Sequence, residues 1–381
     1  MKFIINSQNF ARHLQALSGV LTPNNQVPII SCFHFSLDGK TLTIRATDLE
    51  NTIVTKIELE EAEIVDNCTE IAVPARMLLD MLRNMGDESI TFAVEASSFS
   101  IQIISSDGKY DIAGQNPETF PTMIQKGETS KVVIPASVLV NAIGKTVFAT
   151  GSDDMRPTMM GIYCELTPEG TTFVATDALR LVRYRRLDIV SDETKNFIFA
   201  KKPIILVKNI LASHKEDCDV EVEFNNTNVF FSFENMFIAC RLVDGKYPAY
   251  EAAIPKESPY HLTLDREMFL NSLRRMMVFA NQTTHQVRIK TNSREIIITA
   301  EDPDYSNSAR ERLKCEYDGE PMDIGFNGKF LMEMLQNIDS ENIVMNLSHP
   351  SRAGLLSPIV DDENAKEDIL MLVMPVMLAN S

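Results

Sequence analysis

The chain of 381 residues is written three times over. Apolar residues at helical spacing occur at Phe10, Leu14, Leu17 and Leu21, then at Leu139, Ile143 and Val147, then at Phe269, Leu273 and Met277. The three runs start 129 and 130 residues apart. Each leads into strand-like alternation broken by a turn: CFHFSLDGKTLTIRATD from Cys32, GIYCELTPEGTTFVATD from Gly161 and VRIKTNSREIIITAED from Val287. The turn signals are Asp38-Gly39, Pro168-Glu169-Gly170 and Asn292-Ser293, and each hairpin closes on Ala-(Thr/Glu)-Asp at 46–48, 175–177 and 300–302. Second helical runs begin at Val73, Phe199 and Phe326, and the first two copies end on Phe120-Pro121 and Tyr247-Pro248. Five elements in one order at nearly constant offset make a repeat.

The period is too long for a solenoid unit, so each copy is expected to be a domain: 1–128, 129–254 and 255–381. Two helices packed on antiparallel sheets in each copy give an α+β class with three similar domains. The helices are expected at 7–21, 74–85, 136–149, 200–211, 266–281 and 327–338, with Ser7 as the cap of the first. Asp48, Asp177 and Asp302 read as residues that turn the chain at a hairpin end. The alternative, from another functional class, is a multidomain nuclease or phosphotransferase using those three carboxylates. Equivalent points of separate domains, however, stand too far apart to share a metal.

Charge is divided by element. The six helices carry eleven Lys and Arg against three Asp and Glu, a net +8, while the remaining 25 basic and 50 acidic residues leave −25. A positive helix set in an acidic chain suits a polyanion met on one side only. No zinc-finger, basic-zipper or RNP pattern is present, so the contact expected is to backbone phosphate without sequence preference.

The motifs of catalysis are missing or incomplete. Gly144-Lys145-Thr146 lacks the upstream glycine of a phosphate loop, since Leu139 stands there. DPDYSNS at 302–308 has Asn307 where a calcium loop needs glycine. The acidic clusters at 48–50 and 361–363 read as solvated loop, and the six histidines have no metal spacing. The six cysteines form no Cys-x-x-Cys pair and are expected to be small buried hydrophobes. MKFIINSQNFARH offers no secretory apolar core, and no run approaches the ~18 apolar residues of a membrane span, so a cytoplasmic location is expected.

Over its whole length the chain resembles the bacterial sliding clamp family, the beta subunit of DNA polymerase III. The likeness rests on VPI at 27–29, ATDLE at 46–50, VPAR at 73–76, FPTM at 120–123, VATDALRL at 174–181, LVDGKYPAY at 242–250, IGFN at 324–327 and VMPVML at 373–378. The resemblance implies a non-catalytic, cofactor-free and metal-free processivity factor. It would form a head-to-tail homodimeric ring of six domains, lined by helices, around double-stranded DNA. The cations implied to face DNA are Arg12, Arg76, Arg83, Lys145, Lys201, Lys202, Lys208, Arg274, Arg275 and Lys329. Ring closure would pair Tyr110 and Ile112 with Val278 and Phe279 of the other subunit.

Partners would be the DNA polymerase III alpha subunit, the clamp loader, other polymerases and repair proteins, each through a short peptide motif. The peptide pocket implied comprises Met159, Thr176, Leu179, Arg180, Leu181, Pro248, Ala253, Asn327, Phe330, Ser351, Met374, Pro375, Val376, Met377 and Leu378. Arg183, Arg185 and Arg186 are expected to face solvent along a strand. The chain departs from the family at Ala178-Leu179, where many clamps have Gly-His, and at Ala252 and Met377, where arginine is frequent. A less basic pocket is expected.

Overall fold

Helices and hairpins stand where the repeat requires them. The structure, a computed structural model, describes residues 1–22, 26–214, 216–360 and 365–378. The helices are α1 (Ser7–Ser18), α2 (Ala75–Arg83), α3 (Ala136–Val147), α4 (Lys201–Ser213), α5 (Arg266–Met276) and α6 (Gly328–Gln336). The hairpins pair Cys32–Asp38 with Thr41–Thr47, Gly161–Thr167 with Gly170–Thr176, and Gln286–Thr291 with Glu295–Asp302.

The cap of α1 is Asn6, one residue before the serine expected. Asn6 has the extended backbone that a cap needs, and its side chain accepts from Asn9 N at 2.9 Å. Ser7 is buried in the first turn instead, where Oγ donates to Gly86 O at 2.6 Å. Four cysteines are buried as expected, whereas Cys218 and Cys315 are only half-buried.

The chain forms two compact units, Met1–Val140 with Lys202–Leu242, and Asn141–Lys201 with Val243–Ser381. In the first, an eight-stranded antiparallel sheet joins strands of the first and middle copies where Met236–Arg241 pairs with Asn51–Glu58. In the second, a nine-stranded sheet joins the middle and last copies where Arg180–Arg186 pairs with Glu367–Val373. The middle copy thus contributes strands to both units. A five-stranded sheet completes the first unit and a four-stranded sheet the second.

Alternation explains the burial. In Thr41–Thr47 the residues Leu42, Ile44 and Ala46 lie inside, and Phe10, Leu14 and Leu17 of α1 are buried beside them in the first unit. Phe3 stacks on Phe92 at 4.8 Å between ring centres, with Phe10 edge-on to both. Each such side chain stabilises the fold by about 1.5–3 kcal/mol through burial.

Candidate partner-peptide groove

The groove begins at the turn that follows strand Gly170–Thr176. Thr176 Oγ1 donates to Arg180 O at 2.7 Å and accepts from Ala178 N at 3.1 Å. Asp177 Oδ1 accepts from Leu179 N and Arg180 N, each at 2.9 Å. These bonds hold Ala178 at φ +75° and leave the Leu179 side chain outside, 56% exposed.

Arg180 takes another course. The residue is only 8% exposed. Its Nε donates to Asp177 Oδ2 at 3.0 Å, its Nη2 to Phe148 O at 2.7 Å and its Nη1 to Glu333 on α6. The guanidinium lies over the Phe330 ring at 4.3 Å and faces Phe148 at 5.4 Å. Nε, Nη1 and Nη2 each have a partner, so Arg180 pins the turn to α6. Leu181 is buried in a cluster with Val174, Ile198, Tyr247, Tyr250, Leu355 and Leu372.

The opposite wall is the segment after strand Glu367–Val373. Met374 N donates to Leu179 O at 2.8 Å, and Val376 N donates to Gly325 O at 2.9 Å, forming one antiparallel bridge. The strap therefore runs from the nine-stranded sheet to Asp323–Asn327, an edge strand of the four-stranded sheet. Gly325 permits this approach, because a Cβ there would stand 2.8 Å from Val376 O and from Leu378 Cδ2. Met374 is exposed, Met377 is 95% exposed, and Pro375, Val376 and Leu378 are half-buried.

A cavity of about 570 Å³ opens along the strap, lined by Ser351, Pro375, Val376, Met377 and Leu378. Its remaining lining includes Arg288, Asp323, Gly325 and His349, which sequence reasoning missed. Arg288 Nε donates to Asp323 Oδ1 at 2.6 Å and Nη2 to Asp323 Oδ2. That bidentate bond raises the guanidinium pKa further. His349 Nδ1 lies 2.8 Å from Ser351 Oγ. Only Gly325 carried a signal, through the IGFN motif. Asn327 caps α6 through Lys329 N and Phe330 N, while Met159 and Ala253 sit on the short turns Pro157–Met160 and Tyr250–Ala253, with Pro248 just before the second.

Comparison with known proteins decides the family. Models of the DNA polymerase III beta subunit match throughout: the N-terminal domain at 1–124, the central domain at 133–249 and the C-terminal domain at 251–375. The chain belongs to the DNA polymerase III beta subunit family. Beta sliding clamps of Vibrio cholerae and Halalkalibacterium halodurans are 27% and 26% identical over 99% of this chain, covering 100% and 99% of their own lengths. The Pseudomonas aeruginosa sliding clamp, solved bound to griselimycin, matches at TM-score 0.92 and 26% identity over 99% of this chain and 100% of its own. The Thermotoga maritima beta subunit, at 24% identity, shares the fold at TM-score 0.88 over 99% and 100% of the two chains.

The nuclease or phosphotransferase alternative finds no support in this DNA polymerase III beta subunit match. Asp48 and Asp177 each cap a turn, and Asp302 accepts from Asp304 N at 3.2 Å. Among the described residues no group of three His, Cys, Asp or Glu could hold a metal ion. The acidic cluster at 361–363 lies outside the described residues.

Four further residues of this beta subunit family member sit differently from expectation. Ile112 is 4% exposed and pairs opposite Ile101 in its own sheet, so its side chain belongs to the core of its unit; Tyr110, Val278 and Phe279 are exposed. Lys145 has an 11% exposed side chain, held between Asp339 at 3.1 Å and Glu367 at 3.2 Å. Its charge is neutralised locally. Arg183 pairs with Asp368 at 2.9 Å, and Arg186 with Asp188 at 2.8 Å and Glu367 at 3.6 Å, rather than standing free in solvent. Burial alone would raise the Glu367 carboxyl, but the Tyr184 hydroxyl, Lys145 and Arg186 outweigh it and hold the pKa below the ordinary value.

The other helix cations remain available. Arg12, Arg76, Arg83, Lys202, Arg274, Arg275 and Lys329 are exposed, and Lys201 and Lys208 half-buried. Arg275 shares its charge with Glu311 through bonds of 2.6 and 2.7 Å.

Proposed function

We propose that the chain is the sliding clamp of DNA polymerase III, a processivity factor with no chemistry of its own. Two cytoplasmic copies close head to tail into a ring around duplex DNA, with domains at 1–128, 129–254 and 255–381 in each. The observation that carries this reading is the match of three beta subunit models in the register of the internal repeat. Arg12, Arg76, Arg83, Lys201, Lys202, Lys208, Arg274, Arg275 and Lys329 attract phosphate diffusely. Such screened contacts hold the duplex without fixing its register, so the ring slides. Tyr110 of one copy packs near Val278 and Phe279 of the other.

Partner proteins, among them the alpha subunit, the clamp loader, other polymerases and repair proteins, lay a short peptide over the 176–180 turn and along the 374–378 strap. Leu179, Met374 and Met377 offer exposed apolar surface to it, and burying each contributes about 1.5–3 kcal/mol at most. With Met377 and Ala252 at positions where arginine is frequent, acidic peptide flanks are read weakly.

Topology provides the test. Loaded onto nicked circular DNA, the protein is expected to stay bound through gel filtration and to leave once the circle is linearised. Equal retention on both forms, or a monomer in sedimentation, would overturn the ring.

A further inference from the structure

The two seams at which strands of neighbouring copies pair are not tied alike. In the nine-stranded sheet side chains bridge the seam, since Arg183 meets Asp368 and Arg186 meets Glu367. In the eight-stranded sheet no ion pair links Asn51–Glu58 to Met236–Arg241 among the described residues. A different segment crosses that seam: residues 114–129, which lead from strand Lys109–Ala113 to strand Ser130–Pro135. At one edge of the sheet Gln115 N donates to Ala72 O at 2.8 Å. The segment ends at the other edge, because Glu70–Pro74 and Ser130–Pro135 are the outermost strands.

The segment is fixed at two points, one on each side of the seam. On the first copy, Phe120 is buried, with its ring 5.0 Å from that of His34 and the Arg45 guanidinium 4.9 Å over it. His34 and Arg45 are paired across their hairpin, and His34 Nε2 lies 3.6 Å from Glu70 Oε2. On the middle copy, Lys126 Nζ lies over Phe237 at 5.3 Å and Phe230 at 5.9 Å, and donates to Glu223. Asn225 Nδ2 donates to Lys126 O at 2.9 Å beside it. Register puts both points on one face: Arg45 stands opposite Val54, and Val54 opposite Phe237 across the seam. Between them Thr122, Met123 and Gln125 are exposed, so the crossing is secured at its ends.

We infer that residues 114–129 act as a brace across this seam, tightened by a cation–aromatic contact at each end. The polarity is reversed between the ends: the segment supplies the ring at Phe120 and the cation at Lys126. A tether fixed at two points limits how far the strands between them can bend or part, and it loses that effect when either point fails. The ladder beneath then opens locally while each half stays folded. The linker to the last copy is built otherwise. There Tyr247 stacks on Tyr163 at 4.8 Å, and Tyr247 and Tyr250 are buried with Leu181 and Leu372. The first linker is thus held by charge and the second by apolar burial. This brace works within one chain, with or without a closed ring.

Amide hydrogen exchange of the intact protein reads the brace. Lys126→Met keeps the apolar stem and removes the charge, while Phe120→Leu keeps apolar bulk and removes the ring. Each is expected to speed exchange in Met236–Arg241 about tenfold. The double variant should add little to either one, because a tether is lost with its first fixed point. Independent local contacts would instead multiply to about a hundredfold, since separate sites add in free energy. Arg180–Arg186, in the other seam, should exchange as in the parent. Multiplying effects, unchanged exchange in Met236–Arg241, or equal acceleration in both seams would overturn the brace.

Discussion

The turn from Thr47 to Asn51 and the turn from Thr176 to Arg180 are the same structure put to two uses. In the first, Thr47 Oγ1 donates to Asn51 O at 2.8 Å and accepts from Leu49 N at 3.1 Å. Asp48 Oδ1 accepts from Glu50 N at 3.0 Å and Asn51 N at 2.7 Å, and Leu49 is held at φ +82°. The second turn repeats these bonds one for one, with Ala178 at φ +75°. They part at the fifth residue. Asn51 folds back on Asp48, with Nδ2 3.0 Å from Oδ2, and its own Oδ1 is buried without a partner among the described residues. Arg180 extends past Asp177 to Phe148, Phe330 and Glu333. The threonine and aspartate suffice to set the backbone, which frees the fifth position to diverge from hairpin closure into the anchor of a binding groove.

Breaking the fifth residue should separate the two turns most. Arg180→Ala strands Asp177 and Glu333 near a buried space and is expected to cost about 3 kcal/mol or more, with loss of peptide binding. Asn51→Ala should cost about 1 kcal/mol and leave peptide affinity unchanged. Urea unfolding and a fluorescent peptide titration would measure both, and equal costs would refute the distinction.

Acid should produce a middling effect. Glu367 in the second unit and Glu223 in the first both have folded pKa values below the ordinary 4.5. For Glu223 the leading cause is the Lys126 bond. A depressed carboxyl contributes stability that is fully present above its unfolded pKa and lost as pH falls through its folded value. Thermal midpoints should therefore fall as pH drops below about 4.5, and Glu367→Gln should flatten that decline.

The smallest effect lies at the positive φ. Ala178→Gly and Leu49→Gly should each gain up to about 1 kcal/mol, because a Cβ is disfavoured in the left-handed region. A matched gain in both would confirm that the backbone of the two turns is one design; a loss in either would show that its side chain packs usefully.

What the sequence revealed was local or repeated. Helix periodicity, the three hairpins and the Thr-Asp turns lie within a few residues of one another, and the repeat supplied each signal more than once. The residues whose roles stayed hidden depend on distant partners. Arg180 meets Glu333 across 153 positions, and Lys145 meets Glu367 across 222, so nothing beside either cation announced its neutralisation. Ile112 was lost differently: an edge strand presents one face to solvent and one to the core, and only the register with Ile101 tells which. At α1 two good capping residues stand side by side, and the one at the end of the preceding strand was already in the required conformation.

The pairing of Arg180–Arg186 with Glu367–Val373 also bears on how the protein is made. Arg183 and its partner Asp368 are 185 residues apart, so during synthesis one edge of the middle strand waits bare until Glu367–Val373 emerges. A bare β edge invites pairing with a neighbouring nascent chain. Four arginines within seven positions make such an encounter repulsive between identical copies. Arg183 and Arg186, which later pair with Asp368 and Glu367 across the sheet, are placed to act beforehand as gatekeepers against aggregation.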